Sequence, residues 1–258
     1  MDETDPRRRF SGTASTYARY RPGYPPELGD WLVTQTAVRP GDRVADVGCG
    51  TGIFTRALAA HRLRVIGIDP NPDMLSEARA AGSGARYLRA EAAATGLASA
   101  SVGLVTVAQA FHWLDLDGAL AEFARVLRPG GRVAAIYNLR AQGAFMDAYD
   151  ALLRRFSTQY GGVESRWQGT LDALRRHPAT CDHQQWEGGN AQEFDYDGLH
   201  GRAWSSSYVF RGVLDRSGFD AALRALFDAH AQGGRVRFSY RSVALLFLVQ
   251  GEGEEPRP

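Results

Sequence analysis

Three glycines at alternate positions, Gly48, Gly50 and Gly52, follow directly on a short run of mostly apolar residues, Val44 to Val47. A turn of this kind lets the backbone approach a ligand closely, because glycine has no Cβ and tolerates positive φ. Acidic residues recur at comparable places. Asp69 ends the run Arg64 to Ile68, Glu91 follows the run Arg86 to Arg89, and Gln109-Ala110-Phe111-His112-Trp113 closes a fourth run that begins at Val102. A carboxylate ending the second such run is placed to accept hydrogen bonds from two ribose hydroxyls, which predicts a nucleoside and disfavours a 2′-phosphate. The dinucleotide fingerprint G-x-G-x-x-G is not completed. Counted from Gly48 its third position is Ile53, and counted from Gly50 it is Thr55, so a nicotinamide dinucleotide is disfavoured.

The elements that must position these residues alternate. Ile53, Phe54, Ala57 and Leu58 form one helical stripe after the glycines, and Asn71-Pro72 supplies an N-cap and a first-turn proline for a helix through Met74, Leu75 and Ala78. Leu116, Leu120, Phe123 and Leu127 make another stripe before Pro129-Gly130-Gly131 stops it, and Arg132 to Tyr137 reads as a fifth strand. Strand and helix in this rhythm predict a parallel sheet covered on both faces. In such sheets ligands bind beyond the carboxyl ends of the strands, and all four polar sites fall there.

From Leu139 to Trp204 the rhythm breaks: one amphipathic helix, Phe145 to Phe156, is followed by glycines, tryptophans and polar residues without a strand pattern. Ser205 to Phe210 then reads as a strand, Phe219 to His230 as a helix and Ser239 to Val249 as a last strand. The link Gln232-Gly233-Gly234 is too short for a further crossover, so the final strand is expected to run in reverse. The predicted fold is a Rossmann-like, doubly wound α/β domain: a mostly parallel seven-stranded sheet with a reversed edge strand and a helical insertion. Residues 1–40 are read as an N-terminal strap and helix, 41–138 with 205–250 as the nucleoside-binding domain, 139–204 as an insertion forming an acceptor lid, and 251–258 as a tail.

The chain has 258 residues and a formal charge of +1, so nothing in its charge suggests a nucleic-acid partner. Arg7-Arg8-Arg9 is followed by polar residues rather than the apolar core of an export signal, and Val243 to Val249 is too short to span a bilayer. Two cysteines, Cys49 and Cys181, cannot make a disulfide framework, which fits a reducing, cytoplasmic setting. His177, Cys181 and His183 lack a matching fourth ligand, and no metal is expected.

The pattern Asp46-x-Gly48-x-Gly50-x-Gly52 resembles the first motif of the class I S-adenosylmethionine-dependent methyltransferases. Val65 to Met74 is similar to their second motif, Glu91-Ala92 to their adenine-binding pair, and Ala124 to Gly131 to the turn before their fifth strand. Tyr17-Ala-Arg-Tyr20-Arg21-Pro-Gly-Tyr24-Pro and Gln109 to Trp113 resemble a branch that includes the trans-aconitate methyltransferases. Ala93, Ala94, Val102 and Gly103 depart from the family pattern on the adenine side and at the start of the fourth strand.

The resemblance implies S-adenosylmethionine as cofactor, S-adenosylhomocysteine as its product and a small-molecule acceptor. It implies that Gly48, Gly50 and Gly52 bring backbone to the methionine part, with Asp46 supporting the loop. Asp69 would hold the ribose, Glu91 the adenine amino group with Ala92 at the ring edge, and Gln109 the methionyl side. Methyl transfer is an in-line displacement, so the protein mainly aligns groups and excludes water. A carboxylate acceptor is already ionised and needs only arginine or tyrosine to orient it, whereas a hydroxyl, amine or carbon acid would need a base, for which His112 is the candidate. Phe111, His112 and Trp113 read equally as wall packing. Tyr17, Tyr20, Arg21 and Trp113 are read as a lid over the ligand or as a strap packed on the core. The alternative function is a non-methylating S-adenosylmethionine binder or a cyclase on the same scaffold.

Overall fold

Arg43–Val47 (β1), buried at its last four positions, lies inside a sheet that covers it on both sides. The computed structural model describes residues 14–161 and 163–250, so the Arg7-Arg8-Arg9 tail and the 251–258 segment lie outside the described residues. The chain begins with Ala14–Tyr20 (α1) and Pro26–Thr36 (α2), the latter opened by Pro26 in its first turn as expected. After β1 come Ile53–Ala59 (α3), Arg64–Ile68 (β2), Pro72–Ala80 (α4), Arg86–Leu88 (β3) and Val102–Ala108 (β4). A single 3₁₀ turn, Phe111–Trp113, precedes Leu116–Val126 (α5) and Leu127–Arg140 (β5). The remainder is Ala144–Phe156 (α6), Val163–Arg176 (α7), Thr180–Phe194 (β6), Tyr196–Trp204 (α8), Ser207–Gly212 (α9), Arg216–His230 (α10) and Val236–Val249 (β7).

The seven strands form one sheet in the order β3-β2-β1-β4-β5-β7-β6. β1 to β5 pair in parallel, and β7 is antiparallel to both β5 and β6. The reversed strand of the sequence reading is therefore β7, one place in from the edge, and β6 covers it. Strand period divides the core in two. Ala45, Val105, Val107, Val133, Ala135, Val243 and Leu245 face α5 and α7 through Leu120, Phe123, Leu171 and Leu174. The alternate residues Val44, Leu104, Ala134, Ile136, Ala244 and Leu246 face α2 and α3 through Leu28, Leu32, Phe54 and Leu58.

Two elements differ from the sequence reading. Ser205 to Phe210 is not a strand: Ser207–Gly212 is a short helix whose buried residues are Val209 and Gly212, with Val213 buried just beyond it. Tyr208-Val209-Phe210 has strand propensity, but burial against neighbouring helices overrides it. The seventh strand lies instead inside the 139–204 segment, as β6. Its sequence, with Trp186 and Phe194 as its only large apolar residues, is polar because one edge faces solvent, and polar edges also block pairing with other chains.

This edge pair positions the cap. β5 stops pairing at Arg140 opposite Tyr240, while β6 and β7 continue to Phe194 opposite Val236. The ribbon projects beyond the rim where the parallel strands end. On it pack α6, α8, α9 and α10, through Met146, Tyr149, Leu199, Val209, Phe219 and Phe238, as a second core. Helices α6, α8, α9 and α10 are thereby held over the carboxyl ends of the parallel strands.

Candidate active site

The turn after β1 is built from its own backbone and one carboxylate. Cys49 N–H donates to Ile68 O at 3.1 Å and Gly52 N–H to Cys49 O at 2.9 Å. Gly48 and Gly50 have φ of +67° and +52°. A Cβ at Gly48 would stand 2.6 Å from Ala110 Cβ, whereas at Gly50 it would meet nothing nearer than Met74 Sδ at 4.0 Å. Gly48 is thus required by the fold as well as by its φ, and the space above Gly50 is left open. Gly48→Ala is expected to destabilise the protein by about 2–4 kcal/mol, the sum of left-handed strain and overpacking, read from denaturant midpoints.

Asp69, 8% exposed at the end of β2, accepts the Gly50 N–H at 2.9 Å through one oxygen and the Asn71 N–H at 2.8 Å through the other. A carboxylate has about four lone-pair sites, so one remains on each oxygen. Burial raises its pKa, and the two backbone hydrogen bonds oppose the rise. Asn71 caps α4, its side chain accepting from Asp73 N and Met74 N, so the turn that holds Asp69 is itself fixed.

Asp46 stands beneath the turn rather than in the ligand space. Fully buried, it accepts from Thr55 Oγ1 of α3 at 2.6 Å and from Thr106 Oγ1 of β4 at 2.9 Å, tying together the three elements that frame the loop. Burial drives its pKa up to about 6, against the pull of the two hydroxyls. Gln109 ends β4 with φ of +60°, a conformation that costs a side-chain-bearing residue on the order of 1 kcal/mol or more. Its N–H donates to Ile136 O at 2.8 Å and its Nε2 to Asn138 O at 3.2 Å, which hold it in place.

A cleft of about 260 Å³ runs along this rim, walled by Tyr17, Gly48, Gly50, Asp69, Glu91, Ala92, Gln109 and Trp113 together with Pro70, Asn71, Met74, Leu114 and Asp115. It continues past Gly48, Gly50 and Gln109 into a smaller recess of about 80 Å³ lined by Arg21, Tyr24, Asn138, Arg202 and Tyr240. Eight of the residues singled out in the sequence share the cleft, and Arg21 lies in the recess. Gly52 serves as the N-cap of α3, and Tyr20 packs against Gly201 of α8. His112 is stacked between Trp113 and Tyr137, with ring centroids at 4.7 and 5.9 Å, and is not among the described walls of cleft or recess. Sequence reasoning missed Met74, Leu114, Asp115, Asn138, Arg202 and Tyr240. Asn71 and Met74 carried a signal, since the cap and the strand end are contiguous; Arg202 and Tyr240 carried none, being brought in by the cap.

Glycine turn, ribose-ready carboxylate and a cleft crossing from β2 to β4 agree with the family comparison, in which the methyltransferase domain family (Methyltransf_11) matches residues 45–135. Residues 45–135 are a methyltransferase domain. A putative type II methyltransferase from Anaeromyxobacter dehalogenans shares this domain's architecture, with a TM-score of 0.66 and 27% identity over 90% of this chain and 100% of that one. An uncharacterized methyltransferase of Mycobacterium tuberculosis is 44% identical over 131 residues, 51% of this chain and 52% of the relative. The malonyl-[acyl-carrier protein] O-methyltransferase of Serratia marcescens is 32% identical over 126 residues, 48% of this chain and 49% of that one. The chain spans about half the length of these curated relatives. The methyltransferase domain belongs to the class I, S-adenosylmethionine-dependent type.

Proposed function

We propose that the protein transfers a methyl group from S-adenosylmethionine to an oxygen of a small molecule. The observation that carries this reading is Asp69: it walls the cleft beside the open space over Gly50 and keeps a lone-pair site on each oxygen, which suits a ribose whose attached chain follows the glycine turn. Glu91 and Ala92 wall the adenine end, and Gln109, Gly48 and Gly50 wall the passage to the recess. The cofactor supplies an activated methyl on a sulfonium. The chain's task is to align the acceptor oxygen with that carbon and to keep water out.

The strap and cap enclose the acceptor in this reading. Asn138 and Asn190 both donate to Gly23 O, at 3.0 and 2.8 Å, pinning the strap to the strand ends, and Tyr17 reaches both cleft and recess. Helices α6, α8, α9 and α10 act as the acceptor lid, in place of the whole 139–204 segment, since β6 within it belongs to the sheet. The recess supports an acidic acceptor methylated on a carboxylate, because Arg21 and Arg202 are present to pair with an anionic molecule and a carboxylate has no proton to remove. His112→Ala separates this from a hydroxyl acceptor: kcat within about threefold of wild type is expected for a carboxylate, against a loss of about a hundredfold if a base is removed.

The reading is tested by incubating the protein with methyl-labelled S-adenosylmethionine and a pool of small carboxylates and phenols. Alkali-labile label in a product is the expected result. Tight cofactor binding with label retained on the donor across the pool would replace this reading by a non-methylating S-adenosylmethionine binder or a cyclase.

A further inference from the structure

Around the recess, one buried and two half-buried arginines have no carboxylate to answer them among the described residues. Arg202 of α8, 4% exposed, donates to Tyr240 Oη at 2.9 Å and to Ser206 Oγ at 3.0 Å, and lies 5.0 Å over the Phe238 ring. Arg21, just past the end of α1, donates to Ser205 O at 3.3 Å and to the same Ser206 Oγ at 3.4 Å. Two guanidinium groups therefore converge on one neutral hydroxyl. Arg140, at the end of β5, donates to Tyr160 Oη and lies 5.9 Å and 4.9 Å over the Tyr149 and Tyr160 rings. None of the three forms an ion pair among the described residues; Arg140 reaches an acid only through the Tyr160 hydroxyl, which donates to Asp150.

Guanidinium groups do not shed their protons, and a charge withdrawn from water without a partner is destabilising beyond the mutual repulsion of like charges. Two of their N–H groups, Nε of Arg21 and Nη1 of Arg140, are buried without an acceptor. Neutral tyrosines surround them. Tyr208 registers the resulting potential: burial pushes its phenol up, but Arg140, Arg202 and Arg21 together with a hydrogen bond from Ser206 outweigh burial and bring its pKa down to about 8. Burial and Arg202 lower the pKa of Arg21 for the same reason.

We propose that Arg21, Arg140 and Arg202 form an anion-binding chamber that holds a second, unmethylated anionic group of the acceptor, a carboxylate or a phosphate, and so selects dianionic over monoanionic acceptors. This rests on the methyltransferase reading above. Arg21 and Arg202 line the recess beside the glycine turn, while Arg140 stands outside its walls and adds positive potential from beyond them. The orphan N–H groups supply donors, and a bidentate guanidinium–oxyanion pair repays desolvation that a phenol cannot.

The test is calorimetric titration of the full chain, saturated with S-adenosylhomocysteine, with malonate, succinate, glutarate and adipate, their monomethyl esters, and 3-phosphonopropionate. At least one dianion is expected to bind ten or more times tighter than its half-ester, and the ranking of 3-phosphonopropionate against succinate tells phosphate from carboxylate. Arg140→Gln and Arg202→Gln are expected to reduce this preference below about twofold while S-adenosylhomocysteine affinity stays within twofold of wild type. The wild-type comparison needs no variant, so a substitution that fails to fold leaves it standing. Half-esters that bind as tightly as every dianion, or glutamine variants that keep the preference, overturn the inference. Methyl transfer to monoanions with no dianion preference would remove the chamber and keep the methyltransferase reading; dianion selectivity without methyl transfer to any acceptor would do the reverse.

Discussion

Asp69→Ala is expected to weaken S-adenosylhomocysteine binding by about a hundredfold or more, measured by calorimetry at a temperature where circular dichroism shows the variant folded. In the proposed site two charge-assisted hydrogen bonds to the ribose would be lost, each worth about 1.5–3 kcal/mol, and a hundredfold corresponds to about 3 kcal/mol. The effect exceeds that of an ordinary ribose contact because the same carboxylate fixes the Gly50 N–H, so the turn loses its brace together with the ligand's acceptor. The Asn71 N–H loses its partner as well, which lowers thermal stability. Asp69→Asn is expected to fall between the two, since its amide nitrogen faces a backbone N–H that needs an acceptor. An alanine variant binding within fivefold of wild type would remove Asp69 from the cofactor site.

The second large effect concerns stability against pH. Asp46 is fully buried and titrates near 6, above the 3.8 of a free aspartate. A carboxyl whose pKa is raised by folding stabilises the native state fully below its unfolded pKa, and that contribution is lost as pH rises through the folded one. Between about pH 4 and pH 6 the protein should therefore lose about 3 kcal/mol at this site, at 1.36 kcal/mol per pKa unit. Asp46→Asn removes the titration. Its amide accepts from Thr55, and Thr106, whose hydroxyl already lies 3.4 Å from Ala45 O, can turn to donate there and accept from the amide. The stability of Asp46→Asn relative to wild type is expected to rise by about 3 kcal/mol from pH 4 to pH 7, read from urea midpoints at each pH. Parallel pH profiles for the two proteins would contradict the buried charge. Asp46→Ala serves as contrast, for it strands two buried hydroxyls at about 1–3 kcal/mol each and should be destabilised throughout.

Both predictions sit on residues that could be read from the chain. The first five strands, the glycine turn, Asp69, Glu91 and the Asn71-Pro72 cap follow from local chemistry, in that apolar runs must be buried, turns with positive φ favour glycine, and caps need a short polar acceptor. Each is decided within about ten residues, so no knowledge of the rest of the chain is needed. No helix of the described residues is long and apolar enough to cross a membrane. The sequence also distinguished a nucleoside without pyrophosphate from a dinucleotide, because the missing third glycine is a local fact.

Only the tertiary structure decided the far side of the site. β6 is a polar edge strand whose existence depends on pairing with β7, and Ser207–Gly212 is helical because its neighbours bury one face of it. Asp46, read by resemblance as a support of the glycine loop, is a buried clamp across β1, α3 and β4, set by partners nine and sixty positions away. Arg21 and Arg202 lie far apart in sequence and meet on Ser206 because the β6–β7 ribbon carries the cap over the rim. Periodicity records which face of an element is buried; it holds no record of which distant charge will be placed opposite. The end of the site proposed for the methyl donor is therefore written in local motifs, and the end proposed for the acceptor exists only once the chain has folded.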